Sequence, residues 1–448
     1  MLIRHAEIEG HSALDVRIRD AHIAELAPGL TPEPGEEILD AAGGALLPGL
    51  HDHHLHLLSL AAALESVACG PPQVRNRAEL AAALCRVPGQ GWIRGVGYHE
   101  SVTGELDRRA LDALVGERPV RIQHRSGRLW MLSSAACRRL GLDAGDGRIF
   151  DADTELRARL GREEPPDLEP VGRLLARRGV TGVSDATATN GPAEAAILAD
   201  AAARGVLPQR LRLMGGASLP ATSGTVRGER KLVLHEAAPP DFAELVADVD
   251  AAHRDGRGVA FHCVTRAELV LALAALESAG VERGDRIEHA SVAPPELVKL
   301  LAERRVTVVT QPGFVHERGD AYLTDVEPAD VRWLYRGRGF LEAGVLLGGG
   351  SDAPFGEADP WIAMRAAVDR RSAGGDTLCV DEALSPEESL ALFTSSPDAP
   401  GGPPRRIEVG VPADLCLLDR PWSQARRVLS RAAVRATLIG GVLVHRAD

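Results

Sequence analysis

The sequence predicts an α/β chain built on a (β/α)8 TIM barrel, with a small sheet at the two chain ends and an insertion after the first barrel strand. Three observations lead there. Through the middle of the chain, short β-branched or leucine-rich runs alternate with Ala/Leu/Glu-rich helical stretches, the pattern of βα units. Eight such runs are present, which is the complement of a full barrel. Both chain ends instead alternate polar and apolar residues in period two, as the strands of a small half-buried sheet do.

Taken in order, LDVRIRDAHIAEL (14–26) reads as strands of the terminal sheet. The barrel strands are expected at ALLPGLHDHHLHL (45–57), VTGVSDA (180–186), LRLMG (211–215), KLVLH (231–235), VAFHC (259–263), RIEHA (286–290), VTVVTQ (306–311) and VLLGGGSD (345–352). The gap from 58 to 179 is too long for one crossover helix and holds its own strand-like VRIQH (120–124), so an insertion that shapes the pocket is expected over the barrel mouth. The Pro/Gly-rich PDAPGGPPRR (397–406) reads as the link back to the terminal sheet. That sheet resumes with ADLCLLD (413–419) and VRATLIGGVLVH (434–445), the latter folding back at Gly440-Gly441. The domain boundaries expected are 1–47 and 403–448 for the small terminal domain and 48–402 for the barrel, with the insertion at about 60–175.

Composition narrows the function. With 45% apolar and 25% charged residues the chain is an ordinary globular protein. A net charge of −12, and no basic run interleaved with aromatics, argue against nucleic acid as a partner. The start MLIRHAEIEGHSALDVRIRD lacks the apolar core of a signal peptide, and no stretch of about eighteen apolar residues occurs, so a cytoplasmic protein that does not bind membranes is expected. Six cysteines without C-x-x-C spacing fit reduced thiols. The expected partner is a small-molecule substrate, and a homo-oligomer is compatible with the sequence. Of 51 basic residues only Lys231 and Lys299 are lysines, so a surviving lysine is a candidate for chemistry that a guanidinium cannot do.

Four histidines crowd into PGLHDHHLHLL (48–58), at 51, 53, 54 and 56. Strand parity groups Asp52, His54 and His56 on one face and His51 and His53 on the other, leaving two candidate H-x-H pairs for a metal. Further donors end other predicted strands: His262, His289 and Asp352. Taken singly, each has an ordinary reading, a hydrogen-bonded interior histidine or a helix N-cap. Together, on one rim of a barrel, they point to a metal centre. Lys231 opens KLVLH, where a buried neutral amine can add carbon dioxide and become a bridging carbamate. Lys299 in PPELVKLLAERR reads as a solvated helix residue.

These residues resemble the amidohydrolase superfamily, and within it the branch of YtcJ-like and N-substituted formamide deformylase-like hydrolases. The resemblance spans nearly the whole chain and includes PGLHDHHLHL, GWIRGVGYHE (91–100), PVRIQHRSGRLWMLSSAA (119–136), GVTGVSDA, RKLVLHE, VAFHCVT, RIEHAS, GGSDAPFGEADPW (350–361) and VPADLCLLD with GGVLVH. The pattern of Pro-Gly, Asp, then His-x-His selects His54 and His56 over His51 and His53. It implies two divalent ions, zinc by ligand type, with His54 and His56 at the more buried ion and carbamylated Lys231 bridging. His262 and His289 then hold the second ion, and Asp352 completes the first site. The resemblance also implies that the terminal strands form a small β-sandwich domain built from both chain ends. The sequence departs from the branch at His235-Glu236, where an acidic residue and glycine are expected, at Gly127-Arg128 in place of Gly-His, and in HCVTRAEL, which lacks a Gly-Asp. These positions bear on substrate, and Arg128, Trp130 and His235 are named as substrate contacts.

The activity implied is hydrolysis of a C–N bond, of amide or N-substituted formamide type, by a metal-bridging hydroxide, with Asp352 moving the proton. A mononuclear deaminase of the same superfamily is an alternative, but related deaminases carry a carboxylate three residues after the fifth-strand histidine, where this chain has Thr265. Lactone or ester hydrolysis uses the same apparatus. A non-catalytic barrel scaffold is a third reading, against which all six ligand positions are filled.

Overall fold

A computed structural model describes residues 1–143, 145–151, 153–161, 165–429 and 433–447. The chain divides into two compact units, residues 1–57 with 168–448 and residues 58–167.

The larger unit contains eight parallel strands paired in chain order: Leu50–Leu55, Val180–Asp185, Arg210–Gly215, Thr225–Val233, Val259–Cys263, Arg286–His289, Thr307–Thr310 and Leu347–Gly349. Parallel neighbours need a crossover, and helices supply most of them, among them Pro192–Ala203, Phe242–Arg254, Arg266–Ala279 and Pro295–Arg304. The last strand meets the first at their C-terminal ends, where Asp352 N–H donates to the His54 carbonyl (2.7 Å) and His56 N–H to that of Ala353 (2.8 Å). An eight-stranded barrel is the result.

Two four-stranded sheets enclose an apolar core that includes Ile3, Val16, Leu39, Leu46, Leu415 and Leu438. One sheet is built from the start of the chain (Leu2–Ile8, His11–Arg19, His22–Ala27, Ile38–Asp40). The other combines Leu46–Pro48 with Leu415–Leu418, Val434–Ile439 and Val442–Arg446. This is the sandwich expected from both ends. Its last two strands turn at Gly440 and Gly441, with φ of 54° and 76°, angles that glycine adopts without a Cβ penalty.

Three expectations need correction. The run 45–57 is two strands, because Leu46–Pro48 pairs with Leu415–Leu418 in the sandwich before Leu50–Leu55 enters the barrel. The fourth barrel strand starts at Thr225, earlier than KLVLH suggested, and ends at Val233, so His235 lies beyond it and shares no strand face with Lys231. The Pro/Gly-rich 397–406 holds a strand, Ala399–Pro404, whose antiparallel partner is Ser395–Ser396; prolines are tolerated at a sheet edge that needs no donor from them.

The smaller unit has a five-stranded sheet, in the order Arg148–Phe150, Leu129–Leu132, Val120–His124, Ile93–Tyr98 and Val67–Ala68, over its own apolar core. The cysteines are free. Lys299 is 75% exposed, on a helix beside Glu303. No helix among the described residues is long and apolar enough to cross a membrane.

Candidate metal centre

The first barrel strand sorts its histidines by face. His51 Nε2 pairs with the Ser184 hydroxyl (3.0 Å) and His53 Nε2 with that of Ser395 (3.1 Å). Both rings are buried, and burial holds both well below the ordinary imidazole pKa, so they are neutral members of the packing.

His54 and His56 converge on Asp352. The Nε2 of His56 lies 3.1 Å from Asp352 Oδ1, and the Nε2 of His54 lies 3.4 Å from the same oxygen. His289 joins them, with one ligand atom each from His54, His289 and Asp352 mutually within 4.8 Å. The His262 ring centroid stands 4.4 Å from that of His289. Lys231 Nζ is 3.9 Å from Glu288 Oε1, and Glu288 Oε2 is 2.5 Å from His54 Nδ1. The six residues named from sequence therefore occupy one neighbourhood at the C-terminal ends of five strands.

The backbone is bent to aim them. His289 and Asp352 have φ of 69° and 56°, a region that non-glycine residues occupy only where surrounding structure over-determines it. Part of that structure is Asp52, whose Oδ1 accepts the Ser351 N–H (3.0 Å) and the His54 N–H (3.1 Å) and so ties the last strand to the first.

Electrostatics divide the donors. Burial would raise the Asp352 carboxyl, but hydrogen bonds and charge from His54 and His56 hold it well below the usual range. Burial lowers His289 to about 3 and keeps His262 well below its ordinary value, leaving both as neutral imidazoles. Burial also lowers the Lys231 amine to about 8, against the pull of Glu288. For His54, burial and the Lys231 charge oppose a second proton, yet the carboxylates of Glu288 and Asp352 outweigh them and raise its pKa.

This donor set fits a divalent cation. Lys231 Nζ and His289 Nε2 are buried without a hydrogen-bond partner, a costly state unless something else completes them. With Nδ1 of His54 engaged by Glu288, its Nε2 faces the Asp352 carboxylate at 3.4 Å, a gap that a proton or a metal ion can fill. Two electron-rich atoms so placed call for a cation between them, and imidazole with carboxylate is the ligand chemistry of zinc and its first-row neighbours.

Of the other sequence-named residues, Arg128 and Trp130 belong to the smaller unit and His235 and Thr265 to the larger. Arg128 makes a two-pronged contact with Asp151 (2.7 and 2.5 Å), and Trp130 is buried in the core of the smaller unit. His235 sits in the loop after the fourth strand. Thr265 caps helix Arg266–Ala279, its hydroxyl accepting the Glu268 N–H, so it supplies no acid. Sequence reasoning missed Glu288 and Arg286. A signal existed, since R-x-E places two opposite charges on one face of a strand running through a barrel interior.

A cavity of 880 Å³ opens beside the strand ends, with Val264, Leu271, Val292, Leu334 and Tyr335 among its walls. Val264 lies two residues beyond His262, and Val292 three beyond His289.

By fold and site together, the chain is a metal-dependent hydrolase of the barrel type. It belongs to the amidohydrolase family, whose sequence profile matches residues 37–445. It is 26% identical to an N-substituted formamide deformylase from Arthrobacter pascens, an alignment covering 92% of this chain and 90% of that one. A putative amidohydrolase, YtcJ, from Bacillus subtilis (strain 168) is 23% identical over 92% of this chain and 91% of its own. The crystal structure of an uncharacterized metal-dependent hydrolase from Pyrococcus horikoshii OT3 is similar in fold, with a TM-score of 0.74 at 22% identity, covering 94% of this chain and 96% of that one.

Proposed function

We propose that this chain hydrolyses the C–N bond of a small amide, of the N-substituted formamide class, using two divalent ions held by His54, His56, Lys231 as its carbamate, His262, His289 and Asp352. The observation that carries the reading is the convergence of His54 and His56 on one oxygen of Asp352, with His289 beside them. The Lys231 amine, buried without a hydrogen-bond partner, supports the carbamate: a neutral buried amine can add carbon dioxide, and divalent ions would hold the anionic product. The similarity to a formamide deformylase supports the bond type.

Bound divalent ions would supply a Lewis acid for the carbonyl oxygen and would make water a nucleophile near neutral pH. Asp352, ionised by its histidine neighbours, takes the proton of the attacking water. As the C–N bond breaks, the same carboxyl returns that proton to the departing nitrogen, leaving a carboxylic acid and an amine.

Replacing Asp352 with Asn is the test. The variant is expected to retain bound metal and lose turnover of N-formyl and N-acyl amines by several orders of magnitude. Activity near that of the unaltered enzyme would remove Asp352 from the proton transfer.

A further inference from the structure

Glu288 stands one residue before His289 and is completely buried, at 0% exposure. A carboxylate in that position has to be compensated, and Arg286 and His54 do so by hydrogen bonds. Its Oε1 accepts Arg286 Nε at 2.6 Å and lies 3.9 Å from Lys231 Nζ, while its Oε2 meets His54 Nδ1 at 2.5 Å. Arg286 is itself buried, at 1%, and its other nitrogens reach the His53 carbonyl (3.0 Å) and the Glu229 carboxylate (4.0 Å). Glu229 in turn is gripped by Arg212 (2.7 and 3.2 Å), and Arg212 by the exposed Asp398 (2.7 Å). A ladder of alternating charge thus runs through the barrel from the surface and stops at His54.

A carboxylate has no proton to give, so at Glu288 the His54 ring must donate from Nδ1. That directs Nε2 at Asp352, where a metal ion competes with a proton for it. We propose that Glu288, anchored by Arg286, is a positioning residue that fixes both the tautomer and the rotation of the His54 ring and thereby sets the affinity of the centre for its ion. The inference rests on the reading that His54 ligates a divalent cation. A hydrogen-bonded partner on the far nitrogen of a ligating histidine typically controls metal affinity by about 10- to 100-fold.

The alternative is that Glu288 merely balances Arg286. The two roles separate in a Glu288→Gln variant examined for three properties: zinc affinity by chelator competition, the visible spectrum of the cobalt-substituted protein, and thermal unfolding of the metal-free protein. The inference expects zinc binding weakened about 10- to 100-fold, with cobalt d–d bands altered in position or intensity because the His54 ring is no longer held. A charge-balancing role would lower only the unfolding temperature. Should the single change prevent folding, a Glu288→Gln/Arg286→Gln double variant removes both buried charges together and is read in the same way.

Unchanged zinc affinity and an unchanged cobalt spectrum in a folded variant overturn the inference while leaving the parent reading intact. Failure of the unaltered protein to bind zinc or cobalt overturns both.

Discussion

Lys231 sits in the barrel interior with its side chain 3% exposed, its amine 3.9 Å from a carboxylate already shared with Arg286 and His54. As an ammonium it would have to compete with a guanidinium for that anion, whereas as a carbamate it would bring its own charge to the centre. Lys231→Met keeps the length and removes the amine. The expected outcome is a drop from two bound ions to one or none, and loss of the carbamate resonance seen by carbon NMR after labelling with 13C-bicarbonate. Two ions per chain in that variant would dismiss the carbamate. The residue was legible in the sequence because arginine had displaced nearly every other lysine, so position and chemistry stood out together. Glu288 did not stand out, because the Arg-x-Glu alternation says only that two opposite charges share a strand face, and packing is what shows that face to be buried.

The strand ends are where the centre is assembled, and the spacing there is tight. A Cβ on Gly350 would stand 2.6 Å from His54 Cβ and 2.8 Å from the His54 nitrogen, so even a methyl group forces the first and last strands apart. Gly350→Ala is expected to destabilise the metal-free protein by about 1–3 kcal/mol, as overpacking does, and to weaken zinc binding by displacing His54. Thermal unfolding and metal titration check the two parts separately, and normal values in both would show that the strand junction yields without cost. Five strands were readable at nearly their true bounds because aliphatic runs mark buried parallel strands. The fourth was cut short in the reading because TVRGE, its first half, carries charges: Glu229 turns toward Arg212 inside the barrel, where pairing substitutes for apolarity. The positive φ of His289 and Asp352 had no sequence signal, since neither is a glycine.

At the scale of the molecule, a bound ion couples the centre to stability. An ion present at a hundred times its dissociation constant adds about 2.7 kcal/mol to the folded state, so chelation should lower the unfolding temperature. The pH dependence has a definite sign. In the metal-free protein the raised pKa of His54 contributes stability below the ordinary imidazole value of 6.5, and that contribution is lost as pH rises through the raised value. Metal and proton compete for the same nitrogen, so the loss on chelation should be largest above that range and shrink as the medium is acidified. A chelator effect that is constant across pH would separate His54 from the ion. The order of assembly follows from the pairing of Leu46–Pro48 with Leu415–Leu418. A nascent chain leaving the ribosome holds its first sandwich sheet without the strands that complete the opposite face, because those follow the barrel in the chain. Until the barrel has been translated Leu46 lacks its ladder partner Leu417, and the apolar side of that early sheet stays uncovered.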